Sequence, residues 1–363
     1  MNVIVIGGGV IGHSVAYELA SRGAQVRIID PRPAGQGATR ASAGVLAPYI
    51  EAQGDFLRLA VAGLGHYDAF ITRLRVDSGE AVEYGRAGTL QVALGDAETG
   101  ELEALARRLA SLQIPHTLLD AAKIRQMEPA LAGSVTAGLL LPQHGNVGVA
   151  SLMTALVTAG ARYGVKVTSA RVQNVGVHRG GVQVMTSEGM HSADAAIIAA
   201  GSWSGQIFTP PAPPSPVRPI RGQLLHLRFP RPPLSRVVWG TECYLVPWKD
   251  GSVLAGATME DVGFDEDATV SGVRYLLERV SELMPDLTTA RFDSVKVGLR
   301  PTTPDELPVI GASSTMRGVF YATGHFRNGV LLAPLTAVML ADLVLDGRSH
   351  SELVLVRPAR FGL

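Results

Sequence analysis

The sequence predicts an α/β chain, α+β overall, in which a parallel-sheet nucleotide domain carries an inserted, mainly antiparallel sheet. Three observations predict it. The first thirty residues read as strand, Gly-rich turn, helix, strand, acid. A second strand, Gly-rich loop and helix occupy 319–345. Between these ends run short apolar strands broken by turns.

The opening run Val3-Ile4-Val5-Ile6 is apolar and β-branched, as suits a buried strand. Gly7, Gly9 and Gly12 follow with G-x-G-x-x-G spacing, and Val10 and Ile11 lie within it. Gly7 permits a tight turn out of the strand. Gly9 has no side chain, so a pyrophosphate can approach the backbone. Gly12 lets the helix pack closely on the strand. Residues 13–22 have helical spacing, and Gly23 suits the stop. The helix N-terminus offers free N–H groups and a positive dipole end to phosphates. Residues 25–29 form a second strand, and Asp30 at its end can accept from ribose hydroxyls. A G-x-G-x-x-G alone is weak evidence, because Gly-rich turns are common. With strand, helix and acid in place, the unit reads as a Rossmann-like dinucleotide site.

Composition narrows the class. A chain of 363 residues has room for about two domains. With 47% hydrophobic and 18% charged residues, it favours a compact protein over a disordered one. Lys plus Arg and Asp plus Glu are 32 each, so charge gives no argument for nucleic acid or an anionic membrane. The one cysteine, Cys243, allows no internal disulfide and no cysteine metal cluster, and there is no H-E-x-x-H helix. Between Glu242 and Tyr244 in a strand, that thiol reads as a packing residue. The N-terminus starts in a strand without the basic leader of a signal peptide. The apolar stretches 138–161 and 328–345 are broken by polar residues or proline. A cytoplasmic protein without membrane insertion is expected.

The remaining elements follow in order. Residues 31–40 form a loop, and the small residues of 39–44 could cap a helix or donate to a phosphate or ring. Helices are expected at 55–74, 97–112, 123–128, 149–163 and 270–283. Strands are expected at 89–94, 139–141, 166–168, 172–177, 182–186 and 195–199. The stretch 209–219 holds six of the 22 prolines and is the clearest internal boundary. An antiparallel meander at 223–227, 237–239, 243–247 and 252–258 comes next. A strand at 291–299, a loop at 301–308, a strand at 319–322 and a helix at 330–345 end the chain, with Pro334 in that helix's first turn. Both termini then belong to one discontinuous cofactor domain, 1–83, 142–217 and 296–363. Residues 84–141 and 218–295 form the inserted substrate domain.

Several motifs carry a family resemblance. They are the 7–12 turn with Asp30, Ala41-Ser-Ala-Gly-Val-Leu46, Ala200-Gly-Ser-Trp-Ser-Gly205, Cys243-Tyr-Leu-Val-Pro247, Gly256-Ala-Thr-Met259, Gly298-Leu-Arg-Pro301 and Gly324-His-Phe-Arg-Asn-Gly329. In this order the chain resembles the D-amino-acid oxidase family of FAD-dependent oxidoreductases, in its glycine oxidase branch of the thiamine-pathway type. The resemblance implies non-covalent FAD. Related sarcosine oxidases tether flavin through a cysteine near the C-terminal flavin loop, and Cys243 lies elsewhere. It implies cofactor contacts at Gly7, Gly9, Val10, Ile11, Gly12, Asp30, Ser42, Ala43, Gly44, Val172, Ala200, Gly201, Trp203, Arg300, His325, Phe326, Arg327, Asn328, Gly329 and Val330. The helix after Gly329 points its positive end at the flavin ring, which gains electron density when reduced.

On the substrate side, the resemblance makes Arg300 the residue that grips a carboxylate, a role suited to a planar guanidinium. Tyr244 places a hydroxyl on the same carboxylate, Arg327 is a second arginine nearby, and Met259 is a pocket wall. On pattern alone, Tyr244 could be a strand-packing aromatic, the arginines surface partners and Met259 filler. Glu242 stands where glycine oxidases have a histidine near the entrance. An acid there could repel carboxylates or attract an amine. The implied reaction is oxidative deamination of glycine, sarcosine or a small D-amino acid by hydride transfer to flavin. Dioxygen takes the electrons and hydrogen peroxide leaves. Positioning supplies most of the catalysis, so no catalytic acid or base is expected. The alternatives are a dehydrogenase of this fold passing electrons to a quinone or partner subunit, and a non-catalytic nucleotide-binding subunit. The resemblance also suggests a homo-oligomer.

Overall fold

The computed structural model describes every residue but Arg179, and every side chain but those of Arg179 and Glu51. Strand Asn2–Ile6 is buried from Val3 onward and pairs in parallel with Gln25–Ile29 and Ala195–Ile198. Lys166–Thr168 and Val319–Thr323 extend this sheet in parallel, and Val309–Ala312 adds an antiparallel edge. Its central strands have no polar face, so both faces must be covered. Successive side chains alternate between them. Val3 and Val5 pack with helices Val10–Ser21 and Gly329–Asp346, whereas Ile4 and Ile6 pack on the antiparallel sheet of Val172–His178, Gly181–Thr186 and Gly189–Ala193.

The second large sheet has eight strands, in the order 291–302, 218–228, 252–256, 244–247, 237–239, 89–93, 137–141, 117–120. The meander at 218–256 is antiparallel as expected, but it joins the earlier segment through one parallel pair, Val237–Trp239 with Thr89–Ala93. Helix Val270–Leu283 forms where its periodicity predicts it. Its Leu276, Val280 and Leu283 stripe buries against Leu225, Leu245 and Val253 on one face of the sheet. Thr269 caps it by accepting the Gly272 amide at 3.2 Å. On the opposite face Leu224, Val246 and Leu254 meet Ala43, from the loop after Gln25–Ile29.

Some expectations change. Residues 55–74 are two helices, Gly54–Gly65 and Tyr67–Ser78, jointed at His66. Gly63 lies where a Cβ would stand 2.9 Å from the Leu331 carbonyl, so the first helix rests directly on the last one. Strand Arg218–Arg228 begins inside the proline-rich stretch, because Pro219 opposes Pro301 and the two residues lacking N–H share one rung. Strand Arg291–Thr302 runs through the expected domain boundary at 295–296. The short strands Thr117–Asp120, Gly189–Ala193 and Val309–Ala312 were not expected.

The last long helix starts at Gly329, which puts Pro334 in its second turn rather than its first. The missing N–H of Pro334 leaves the Val330 carbonyl without its helix donor. The buried Tyr67 hydroxyl donates to that carbonyl instead. Among the described residues this helix alone is long and apolar enough to cross a membrane, and most of it is buried inside the fold. It also joins the first helix through ions. Arg22 bridges Glu18 and Asp342, both buried, and donates to Asp342 at 2.6 Å. Asp342 further takes Arg348 and His350, and these donors hold its carboxyl well below the usual carboxylate range.

Candidate active site

A cavity of about 490 Å³ opens at the C-terminal ends of the parallel strands. This is where ligands bind open α/β sheets. The loops after Ile6, Ile29, Ile198 and Thr323 line it on one side. Residues at and beside the strands Tyr244–Pro247, Ser252–Gly256 and Arg291–Thr302 line it on the other.

The first of these loops meets the cavity with main chain. Gly7 has φ +113°, and a Cβ there would stand 2.3 Å from the Ala199 carbonyl. At Gly12 a Cβ would stand 1.9 Å from the Gly7 carbonyl, so the helix sits directly on the strand. The Val10 amide donates to Thr39 Oγ1 at 3.0 Å. The first i→i−4 bond runs from the His13 amide to Gly9, at 2.9 Å. The Ile11 and Gly12 amides therefore have no helix acceptor. Asp30 accepts the Gly8 amide at 2.6 Å and the Arg32 amide at 2.7 Å. A carboxylate has about four acceptor positions, so it retains capacity toward the cavity. Arg32 lies over the Trp203 ring at 4.1 Å and pairs with Glu266 at 3.0 Å, while Phe264 tilts against Trp203 at 5.8 Å. Thr39, from the small-residue run 39–44, lines the cavity too, and Arg32, Arg171 and Gln173 line it without having been singled out in the sequence. No fixed spacing links such residues, so no sequence signal marks them.

The loop at 324–329 forms the next wall. Gly324 has φ +71° and Phe326 φ +46°, and the Phe326 amide donates to the Pro301 carbonyl at 2.8 Å. His325 is buried, with Nε2 3.1 Å from the Thr336 hydroxyl, and burial lowers its pKa to about 3. It presents a neutral imidazole. Strand Arg291–Thr302 touches the 38–41 turn through Gly298, where a Cβ would stand 2.8 Å from Ala41 Cβ.

The far end is built from side chains over glycines. Arg300 Nη1 donates to the Thr258 carbonyl at 2.9 Å. Its guanidinium lies against Gly222, where a Cβ would stand 2.3 Å from Nη1. The Tyr244 hydroxyl lies against Gly256, where a Cβ would stand 3.1 Å from it. Trp239, also unforeseen, tilts against the Tyr244 ring at 5.0 Å. Met259 is 64% exposed, as a residue of the mouth. Glu242 is half exposed, 3.3 Å from Arg279. Arg327 is exposed, its guanidinium 5.4 Å from the Phe326 ring. Cys243 is buried as expected, and burial pushes its thiol up to about 12, which leaves it protonated and inert.

Every residue expected at the site lines this cavity except Gly12 and Asn328. Gly12 serves the packing of helix on strand. Asn328 precedes the last helix and donates its amide to the His325 carbonyl at 2.9 Å. No group of three metal-ligating side chains occurs among the described residues.

The glycine cradle, the open helix amides and the acid fit a dinucleotide, and the arginine and tyrosine fit a small anion beside it. Together they define a nucleotide-cofactor protein with a side-chain clamp at the far end of its cofactor channel. Residues 2–343 match the model of the FAD dependent oxidoreductase family, and the chain belongs to that family, with FAD as its cofactor. It is 34% identical over 374 residues to the bifunctional protein ThiO/ThiG of Synechocystis sp., across 99% of this chain and 54% of that relative. The chain thus spans about half the length of the bifunctional relatives it matches. It is 32% identical to the glycine oxidase of Geobacillus kaustophilus, across 94% of this chain and 92% of that one. A crystal structure of glycine oxidase from Geobacillus kaustophilus aligns with TM-score 0.92 at 30% identity, covering 98% of this chain and 97% of that one. Iminodiacetate oxidase from Chelativorans sp. BNC1 aligns with TM-score 0.89 at 28% identity, covering 98% of each.

Proposed function

We propose that this protein oxidises the amine of glycine or another small amino acid, such as sarcosine or a D-amino acid. FAD is held without a covalent tether, and dioxygen is the final acceptor. The observation that carries the reading is the pair of glycines under the clamp. Gly222 makes room for the Arg300 guanidinium, and Gly256, on the neighbouring strand, for the Tyr244 hydroxyl. A cation and a hydroxyl then converge on one carboxylate.

Bound FAD supplies a two-electron acceptor. The chain's own residues orient the substrate. The Thr258 carbonyl takes one N–H of Arg300 and fixes the plane in which the guanidinium meets a carboxylate. Tyr244 donates from the side, its ring held by Trp239. A substrate gripped there has its α-carbon aimed rather than activated, so no acid or base is needed. The neutral His325 adds no charge to the ring end. The imine product is hydrolysed by water, releasing an oxo acid and ammonia or an amine.

The two large sheets support the discontinuous division inferred from sequence, with the last crossing moved to the end of strand Arg291–Thr302. The likeness to ThiO/ThiG proteins supports a place in thiamine synthesis, and a cytoplasmic homo-oligomer remains part of the proposal.

The test is flavin absorbance recorded anaerobically, before and after adding glycine, sarcosine, D-alanine or D-proline. Bleaching by at least one is expected, and air should restore the yellow form with release of hydrogen peroxide. Bleaching by none overturns the substrate class. A flavin that stays bleached in air makes the protein a dehydrogenase.

A further inference from the structure

At the amine end a cluster of three charged side chains, Glu242, Arg279 and Glu282, borders the cavity. Glu242 lines the cavity immediately before strand Tyr244–Pro247. Glu242 sits in the turn that joins strand Val237–Trp239 to strand Tyr244–Pro247, and it and Tyr244 both line the cavity. Two residues apart in the chain, their Cα atoms lie within roughly 7.6 Å of each other. A carboxylate therefore stands close to the clamp proposed for the substrate.

That carboxylate is only partly compensated. Arg279 Nη1 is 3.3 Å from Glu242, and the Tyr275 hydroxyl donates to Glu242 at 3.4 Å. Both contacts are longer than a charge-assisted hydrogen bond. The other arm of the same guanidinium makes the short contact, 2.8 Å to Glu282. One cation is thus shared between two carboxylates, which leaves this cluster of three with a negative charge. Arg274 and Glu278 on the same helix pair with each other at 3.6 Å and add nothing net. Arg327 lies in the same lining with the opposite sign.

We propose that Glu242, with Glu282 behind it, makes this site reject amines that carry a second carboxylate and accept those whose second group is neutral. The inference rests on the amine oxidation proposed above and names its substrate class: N-alkyl or simple small amino acids rather than dicarboxylic amines. Arg279 is a positioning residue that tempers the rim.

Two probes isolate the charge. Iminodiacetate and its monoamide, N-(carbamoylmethyl)glycine, share a shape and differ by one carboxylate. The readout is the ratio of their kcat/KM values, amide over diacid, from aerobic turnover, with anaerobic flavin bleaching by glycine run alongside. The expected wild-type ratio is well above one. Glu242→Gln should lower it about tenfold at low salt, as expected for like charges near a surface. Arg279→Gln should raise it, because the second acid is then unopposed. The opposite signs separate charge from general damage, and the retained flavin spectrum confirms a folded holoenzyme. A wild-type preference for iminodiacetate would mean that Arg327 sets the selection, and overturns the proposal. So does a ratio that neither variant moves, or that both move the same way. Bleaching by neither glycine nor the amide would overturn the amine-oxidase reading and this inference with it.

Discussion

At the nucleotide end, Gly7, Gly9 and the first turn of helix Val10–Ser21 meet the cavity with main chain; at the amine end, Arg300, Tyr244 and Glu242 meet it with side chains. Both ends depend on glycine, but for different reasons. Gly7 and Gly12 bring backbone against backbone, with would-be Cβ contacts of 2.3 and 1.9 Å to carbonyls. Gly222 and Gly256 are seats for the working groups of other residues. Main-chain recognition is made by one continuous segment. Side-chain recognition is assembled from strands distant in sequence.

The comparison can be broken most forcefully at Gly12. Gly12→Ala should cost more than about 3 kcal/mol, since backbone cannot yield as a side-chain tip does. The protein should purify without flavin, as read by absorbance at equal protein concentration and by urea midpoint. Gly222→Ala attacks the other end. It should lower kcat/KM for the best amine about 10²- to 10³-fold by displacing Arg300, with the flavin spectrum intact. Arg300→Ala should do at least as much. A Gly222→Ala enzyme with wild-type kinetics would show that the seat does not position the clamp.

A smaller effect sharpens the contrast by leaving both ends alone. His144 is fully buried, accepts the Tyr49 amide at 3.3 Å and stacks on the Tyr49 ring, and burial lowers its pKa from 6.5 to about 3. The folded imidazole is neutral, so between those values the unfolded chain binds the extra proton. Stability is therefore whole above about pH 6.5 and falls as pH drops toward 3. His13, lowered to about 4, and His325 act in the same sense. From pH 7 to pH 5 one such histidine costs about 2 kcal/mol. Replacing His144 with Phe should shrink the pH dependence of the urea midpoint by that amount. An unchanged slope would show that His144 does not titrate on unfolding. The smallest effect belongs to Tyr67→Phe, which leaves the Val330 carbonyl without a donor and should cost about 1 kcal/mol. Adding Pro334→Ala, which restores the helix N–H, should recover most of it. A penalty that persists in the double variant would place the role of Tyr67 in packing.

The same contrast decides what the sequence could disclose. The 7–12 turn, Asp30 and helix Val270–Leu283 were legible because spacing within one segment specifies them. The arginine and tyrosine were reached through motif likeness, which named Gly256 without its role as a seat and did not reach Gly222. Gly222 and Gly256 sit in ordinary strands, and only pairing with 291–302 and 244–247 reveals what lies over them. The Arg32–Trp203–Phe264 stack joins three distant loops and has no pattern to find. Pro219 hid the start of a strand because the facing Pro301 could not be known. The pairing of Glu242 with Arg279 likewise exists only once the helix is docked on the sheet.

Arg22 and Asp342 share a hydrogen bond of 2.6 Å across 320 positions of chain. At about 5–20 residues per second, a ribosome that has made the first helix needs roughly 16 to 64 seconds more to deliver the last one. Throughout that interval Val15 and Leu19 lack the partner that covers them, and Arg22, already paired with Glu18, lacks its second acid, Asp342. The glycine turn at 7–12 is written first, and the helix behind it is covered last. Closure of the first helix therefore waits for the last one, whatever the glycine turn before it can already bind.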